Sequence, residues 1–141
     1  MTDYNIDGIY LFQGRKNKYS GELSINEDGQ ISGEIRDSAS QCPRHDIQGK
    51  IIQLEDEVVL EFTKIPTGDF AGYLSPIEYQ MRKPKMNGDL SGTYEGAWRF
   101  PNPESLGRIG IGYDSEIGEA AIWIPQEEIE NKSQLTLTER L

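Results

Sequence analysis

The stretch EDGQISGEI, residues 27–35, decides how the chain is read. Asp28-Gly29 is a hairpin signal, and the residues after it alternate apolar and polar. Yet Gly33 stands between Ile31 and Ile35, where a strand gains nothing from glycine. The stretch MNGDLSGTY, residues 86–94, repeats the arrangement, with Asn87-Gly88 as the turn and Gly92 between Leu90 and Tyr94.

The same apolar–x–Gly–x–apolar pattern surrounds Gly8, Gly21, Gly49, Gly72 and Gly96. Residues two apart share a face of a strand, so each glycine belongs to the apolar, inward face. The opposite face is polar, as in Ser20, Glu22 and Ser24, or Ser32, Glu34 and Arg36. This alternation marks antiparallel strands with one wet face. Glycine on the inner face removes bulk where a strand bends sharply, as strands of small closed barrels must. Strands are expected near 6–13, 18–26, 30–37, 46–53, 56–64, 71–81, 89–99, 107–113 and 119–124. In EVVLEFTK, residues 57–64, Val58, Leu60 and Phe62 face inward. The expected fold is all-β: an antiparallel up-and-down barrel of about eight strands, spanning 1–124 as one domain. Pro125 and the acids after it open a C-terminal short helix or tail over 125–141.

Short meandering strands with inward glycines resemble the calycin barrels: lipocalins, fatty-acid-binding proteins and avidins. GIYLFQGRKNKYSGELSINEDGQISGEI is similar to an avidin-type start, and GDLSGTYEGAWRF to a late barrel strand ending in tryptophan. The resemblance covers about residues 6–99. Lipocalins open on G-x-W, whereas Tyr10 follows Gly8 here, and avidin's biotin-holding residues find no counterparts. The resemblance therefore implies a fold and names no ligand.

A meander sends alternate connections to opposite ends. One end takes 27–29, 54–56 and 82–88. The other takes 14–17, 38–45, 65–70 and 100–106, on average longer, with Pro43, Pro66, Pro101 and Pro103. Inward residues nearest this looped end are Phe12, Tyr19, Ile35, Ile47, Phe62, Phe70 and Trp98, with Tyr94 one layer deeper. Arg15, Arg44 and His45 stand at its lip. Such a ring serves either as a ligand pocket or as a plug.

The chain of 141 residues carries a net charge of −10, and residues 101–141 hold eight acids against three bases. An acidic surface repels nucleic-acid phosphates and anionic lipid. The basic clusters Arg15, Lys16, Lys18 and Arg82, Lys83, Lys85 read as solvated loop charges. Apolar runs are too short to cross a membrane, and the N-terminus lacks a signal-peptide pattern. A single cysteine, Cys42, excludes an internal disulfide. The expected setting is cytoplasmic. QCPRHD, residues 41–46, brings Cys42 and His45 close in sequence with no orienting partner, and no metal or dinucleotide motif survives scrutiny. No cofactor and no catalytic residue is assigned.

The leading expectation is a non-catalytic barrel that binds a small, mainly apolar ligand at its looped end. Its site would comprise Phe12, Tyr19, Phe62, Phe70, Tyr94, Trp98, Arg44 and His45. The rival is a protein-interaction or homo-oligomerisation module with a filled barrel, using the acidic C-terminal segment or an outer sheet face with apolar residues such as Ile9, Leu11, Ile52 and Val59. A barrel enzyme using Cys42, His45 or carboxylates is the third.

Overall fold

The computed structural model describes residues 2–37, 42–71, 74–86, 89–100 and 117–126. They form a closed antiparallel barrel of eight strands in sequence order. The strands are β1 (Thr2–Phe12), β2 (Arg15–Ile25), β3 (Gln30–Arg36), β4 (Arg44–Gln53), β5 (Glu57–Pro66), β6 (Ile77–Pro84), β7 (Gly92–Arg99) and β8 (Ile117–Ile124). β1 closes the ring by pairing with β8 at Asp7↔Trp123 through Tyr10↔Ala120.

Inward residues repeat every second position. β2 buries Tyr19, Leu23 and Ile25; β5 buries Val58, Leu60, Phe62 and Lys64; β8 buries Ala120, Ile122 and Ile124. These side chains belong to one continuous core, apart from Lys64. Outward positions carry charge instead, and Arg82 meets Glu57 while Arg44 meets Glu34, each at 3.0 Å.

The inward glycines mark where neighbouring strands fold closely over one another. A Cβ on Gly33 would run into the Glu22 carbonyl of β2, and one on Gly49 into the Glu61 carbonyl of β5. The backbone of the next strand fills the space a side chain would need. Gly33 also has φ +149, a conformation that side chains disfavour.

Turn chemistry follows the sequence at Asp28-Gly29. The Asn26 side-chain oxygen accepts from the backbone N–H of Asp28 and Gln30, and Gly29 takes φ +82. The connection expected over 14–17 is shorter. Gln13-Gly14 forms a two-residue turn with both φ values positive, and Arg15 already begins β2. That is the primed geometry whose twist matches paired strands.

Two expectations about individual segments are corrected. The strand expected over 71–81 starts only at Ile77. Phe70 instead closes a 3₁₀ turn over Gly68–Phe70, with its N–H donating to Thr67 and its carbonyl accepting from Leu74. The glycine of the expected strand pattern, Gly72, lies outside the described residues. Lys83 is buried, not solvated: it lies over the Tyr94 ring and donates to the Asp89 carbonyl at 2.8 Å. The strand expected at 107–113, the Asn87-Gly88 turn and most of the C-terminal extension lie outside the described residues. Among the described residues, no helix is long and apolar enough to cross a membrane.

Candidate functional site

The meander places the β1–β2, β3–β4, β5–β6 and β7–β8 connections at one end. Just inside that end, the inward rows stop being apolar. β3 runs Ile31, Gly33, Ile35 and then reaches Asp37; β5 runs Leu60, Phe62 and then Lys64; β4 enters with His45 before Ile47. Each polar residue keeps the inward parity of its strand, so all three are carried into the barrel.

Asp37 and Lys64 meet there. The Lys64 ammonium donates to Asp37 Oδ2 at 3.4 Å, and the two side chains are 1% and 0% exposed. The Tyr10 hydroxyl donates to the same carboxylate oxygen at 2.6 Å. The ammonium also lies 4.7 Å from the centroid of the Tyr10 ring and 5.7 Å from those of Tyr19 and Tyr79. The electron-rich faces of these rings stabilise a cation that has lost its water.

The tyrosines belong to a larger aromatic row. Tyr19 stacks on Tyr79 at 6.2 Å, and Tyr79 on Phe62 at 4.8 Å with planes only 13° apart. Phe12 packs on Trp98 at 5.6 Å, and Trp98 on Phe100 at the same separation. The Trp98 indole N–H crosses to the Leu11 carbonyl of β1 at 2.8 Å, passing over Gly118, where a Cβ would strike the indole.

Among the described residues, three buried polar atoms in this region have no hydrogen-bond partner: the hydroxyls of Tyr19 and Tyr79, and His45 Nδ1. Their residues are each more than nine-tenths buried. Leaving such an atom unpaired costs about 1–3 kcal/mol, so folded proteins keep few of them.

Burial shapes the protonation of the cluster. It pushes the Tyr10 hydroxyl up, helped by the bond to Asp37, and pushes Tyr19 and Tyr79 up as well. It lowers the Lys64 ammonium, with Asp37 opposing. It brings His45 down to about 4, with Lys64 adding to the effect. At neutral pH the tyrosines and His45 are therefore uncharged.

Of the eight residues expected at the site, Phe12, Tyr19, Phe62, Trp98 and His45 lie in or beside this cluster. Tyr94 is buried elsewhere, its hydroxyl donating to the Leu90 carbonyl at 2.7 Å under Lys83. Arg44 points outward to Glu34, and Phe70 sits in the 3₁₀ turn. Cys42 is buried, with its thiol 2.9 Å from the Arg44 carbonyl. Sequence reasoning missed Tyr10, Asp37, Lys64 and Tyr79. For Asp37 and Lys64 the signal was parity: each lies two residues beyond an inward apolar residue.

The outer face of β1 and β8 carries a second feature. Trp123 is 48% exposed, with Ala121 and Ile9 one pair further along the same face and Leu11 a further step toward the looped end. Of the other outward apolar residues, Ile52 is half-buried and Val59 is buried, so the exposed patch does not extend to β5.

Comparison with protein-family models, with curated proteins and with solved structures returns no match.

Proposed function

We propose that the protein is a non-catalytic, calycin-like barrel that binds a small molecule through its looped end. The observation that carries this reading is the set of buried atoms without a partner among the described residues, Tyr19 Oη, Tyr79 Oη and His45 Nδ1, gathered with Lys64 and Asp37. A side-chain plug selected only for stability would pair these groups or replace them with apolar ones. A bound molecule offsets their cost. The ligand has an apolar body, to lie against Phe12, Phe62 and Trp98, and a polar group for the hydroxyls. Native mass spectrometry of gently purified chain tests the reading. Extra mass that is released on activation supports it. Bare chain at every activation energy, together with no saturable uptake of small aromatic compounds, overturns it.

A second reading rests on the exposed patch. Ile9, Leu11, Ala121 and Trp123 are flanked by Lys16 and Lys18 on β2 and by Glu95 on β7. A twofold axis parallel to the strands sets the lysines of one copy opposite the glutamate of the other. This arrangement fits a symmetric dimer. Sedimentation should then give a two-chain mass for the protein and a one-chain mass for Trp123→Glu. A single-chain mass for the unaltered protein at about 100 μM, an ordinary working concentration for weak dimers, rejects it.

A further inference from the structure

Resting on the looped-end reading, we infer that the ligand is uncharged and presents a carbonyl-type acceptor oxygen to Tyr19, Tyr79 and Lys64. The argument is a count of charges and donors. Lys64 and Asp37 cancel one another within the barrel, 3.4 Å apart. A carboxylate or phosphate ligand would leave a net buried negative charge, and an ammonium ligand a net positive one beside Lys64. Either costs several kcal/mol that the pair no longer offsets.

Uncommitted donors gather around this pair, beside the neutral His45 Nδ1. An ammonium has three N–H groups, and Lys64 uses one, on Asp37. The hydroxyls of Tyr19 and Tyr79 each hold an O–H with no acceptor among the described residues. Asp37 Oδ2 already accepts from both Tyr10 and Lys64. Burial keeps the tyrosines protonated, so they remain donors throughout the neutral range. An acceptor oxygen takes these uncommitted donors directly, whereas a donor-only group would have to reach hydroxyl lone pairs beside the Lys64 ammonium. The Tyr79 ring is itself stacked between Tyr19 and Phe62, so the oxygen is met at the hydroxyl edge of the two tyrosines and not between the rings. Ketones, lactones and amides on an aromatic or conjugated frame share this chemistry.

Four probes of similar size separate the outcomes at pH 7: acetophenone, ethylbenzene, benzoate and benzylammonium. Each is titrated into the full chain and followed by calorimetry. Acetophenone is expected to bind at least about tenfold tighter than any of the others, as loss of a buried hydrogen bond implies. Its advantage over ethylbenzene should disappear in Tyr79→Phe or Tyr19→Phe, which keep the rings. Benzoate or benzylammonium binding as tightly as acetophenone overturns the inference and leaves looped-end binding standing. So does an acetophenone advantage that persists in both Tyr→Phe variants. No saturable binding by any of the four overturns both. The ranking on the unaltered protein decides the matter alone should a variant fail to fold.

Discussion

A buried lysine and aspartate can each unmake the fold alone, yet be dispensable as a pair. Asp37→Ala leaves the Lys64 ammonium inside the barrel with no carboxylate. Breaking such a pair from one side costs about 3–5 kcal/mol, and urea denaturation should show a loss of that size. The double variant Asp37→Leu, Lys64→Met should lose less than the single one, since it removes both charges. Equal or greater loss in the double variant would mean that the pair does more than neutralise itself. His45 provides a separate handle through pH. Its folded value is about 4 against 6.5 for an unperturbed imidazole. Between those values the unfolded chain binds a proton that the folded chain refuses. Stability therefore rises with pH across this window, is complete above about 6.5, and declines as pH falls toward 4. The amplitude is at most roughly 3 kcal/mol. His45→Gln should flatten the profile between pH 6.5 and 4.5; an unchanged slope would place its origin in other groups.

Along a strand, the inward glycines set what the barrel tolerates. Gly49→Ala would drive a methyl into the Glu61 carbonyl and the Phe62 backbone. The neighbour is main chain and cannot swing aside, so overpacking of about 1–3 kcal/mol or more is expected in equilibrium unfolding. Gly14→Ala meets no atom within 4 Å and bears only the left-handed φ of +77, a penalty of about 1–2 kcal/mol. The barrel was legible because these glycines recur at one parity, and because alternation around them separates inside from outside. Phe70 was misread because a pattern of five residues cannot distinguish a strand from a 3₁₀ turn. The polar half of the site was hidden for a different reason. Asp37 and Lys64 were assigned to strand ends, where charge ordinarily signals solvent, but the strands carry their inward parity past the last apolar residue. Tyr79 was obscured by the same misplaced start of β6: carrying the inward parity of Gly72 along one continuous strand sets Tyr79 outward.

At the scale of the whole molecule, closure removes every sheet edge, so association falls to the outer faces and to the two ends. The ends differ in chemistry. Near the β6–β7 connection, Lys83 turns its ammonium onto loop carbonyls of Asp89 and Pro84 and covers Tyr94, a self-satisfied closure. At the looped end, Lys64 faces rings and a carboxylate while neighbouring hydroxyls have no partner among the described residues. Two inward lysines thus do different things: Lys83 spends two N–H groups on backbone carbonyls, Lys64 one on a buried carboxylate. The most direct measurement is an isotope-filtered NMR experiment on chain labelled with ¹³C in its tyrosine rings, in the presence of acetophenone. Cross-relaxation from the ketone methyl to Tyr19 and Tyr79, and none to Tyr94, is the predicted result. Contacts confined to other tyrosines, or none at saturating ketone, would contradict a ligand site at the looped end.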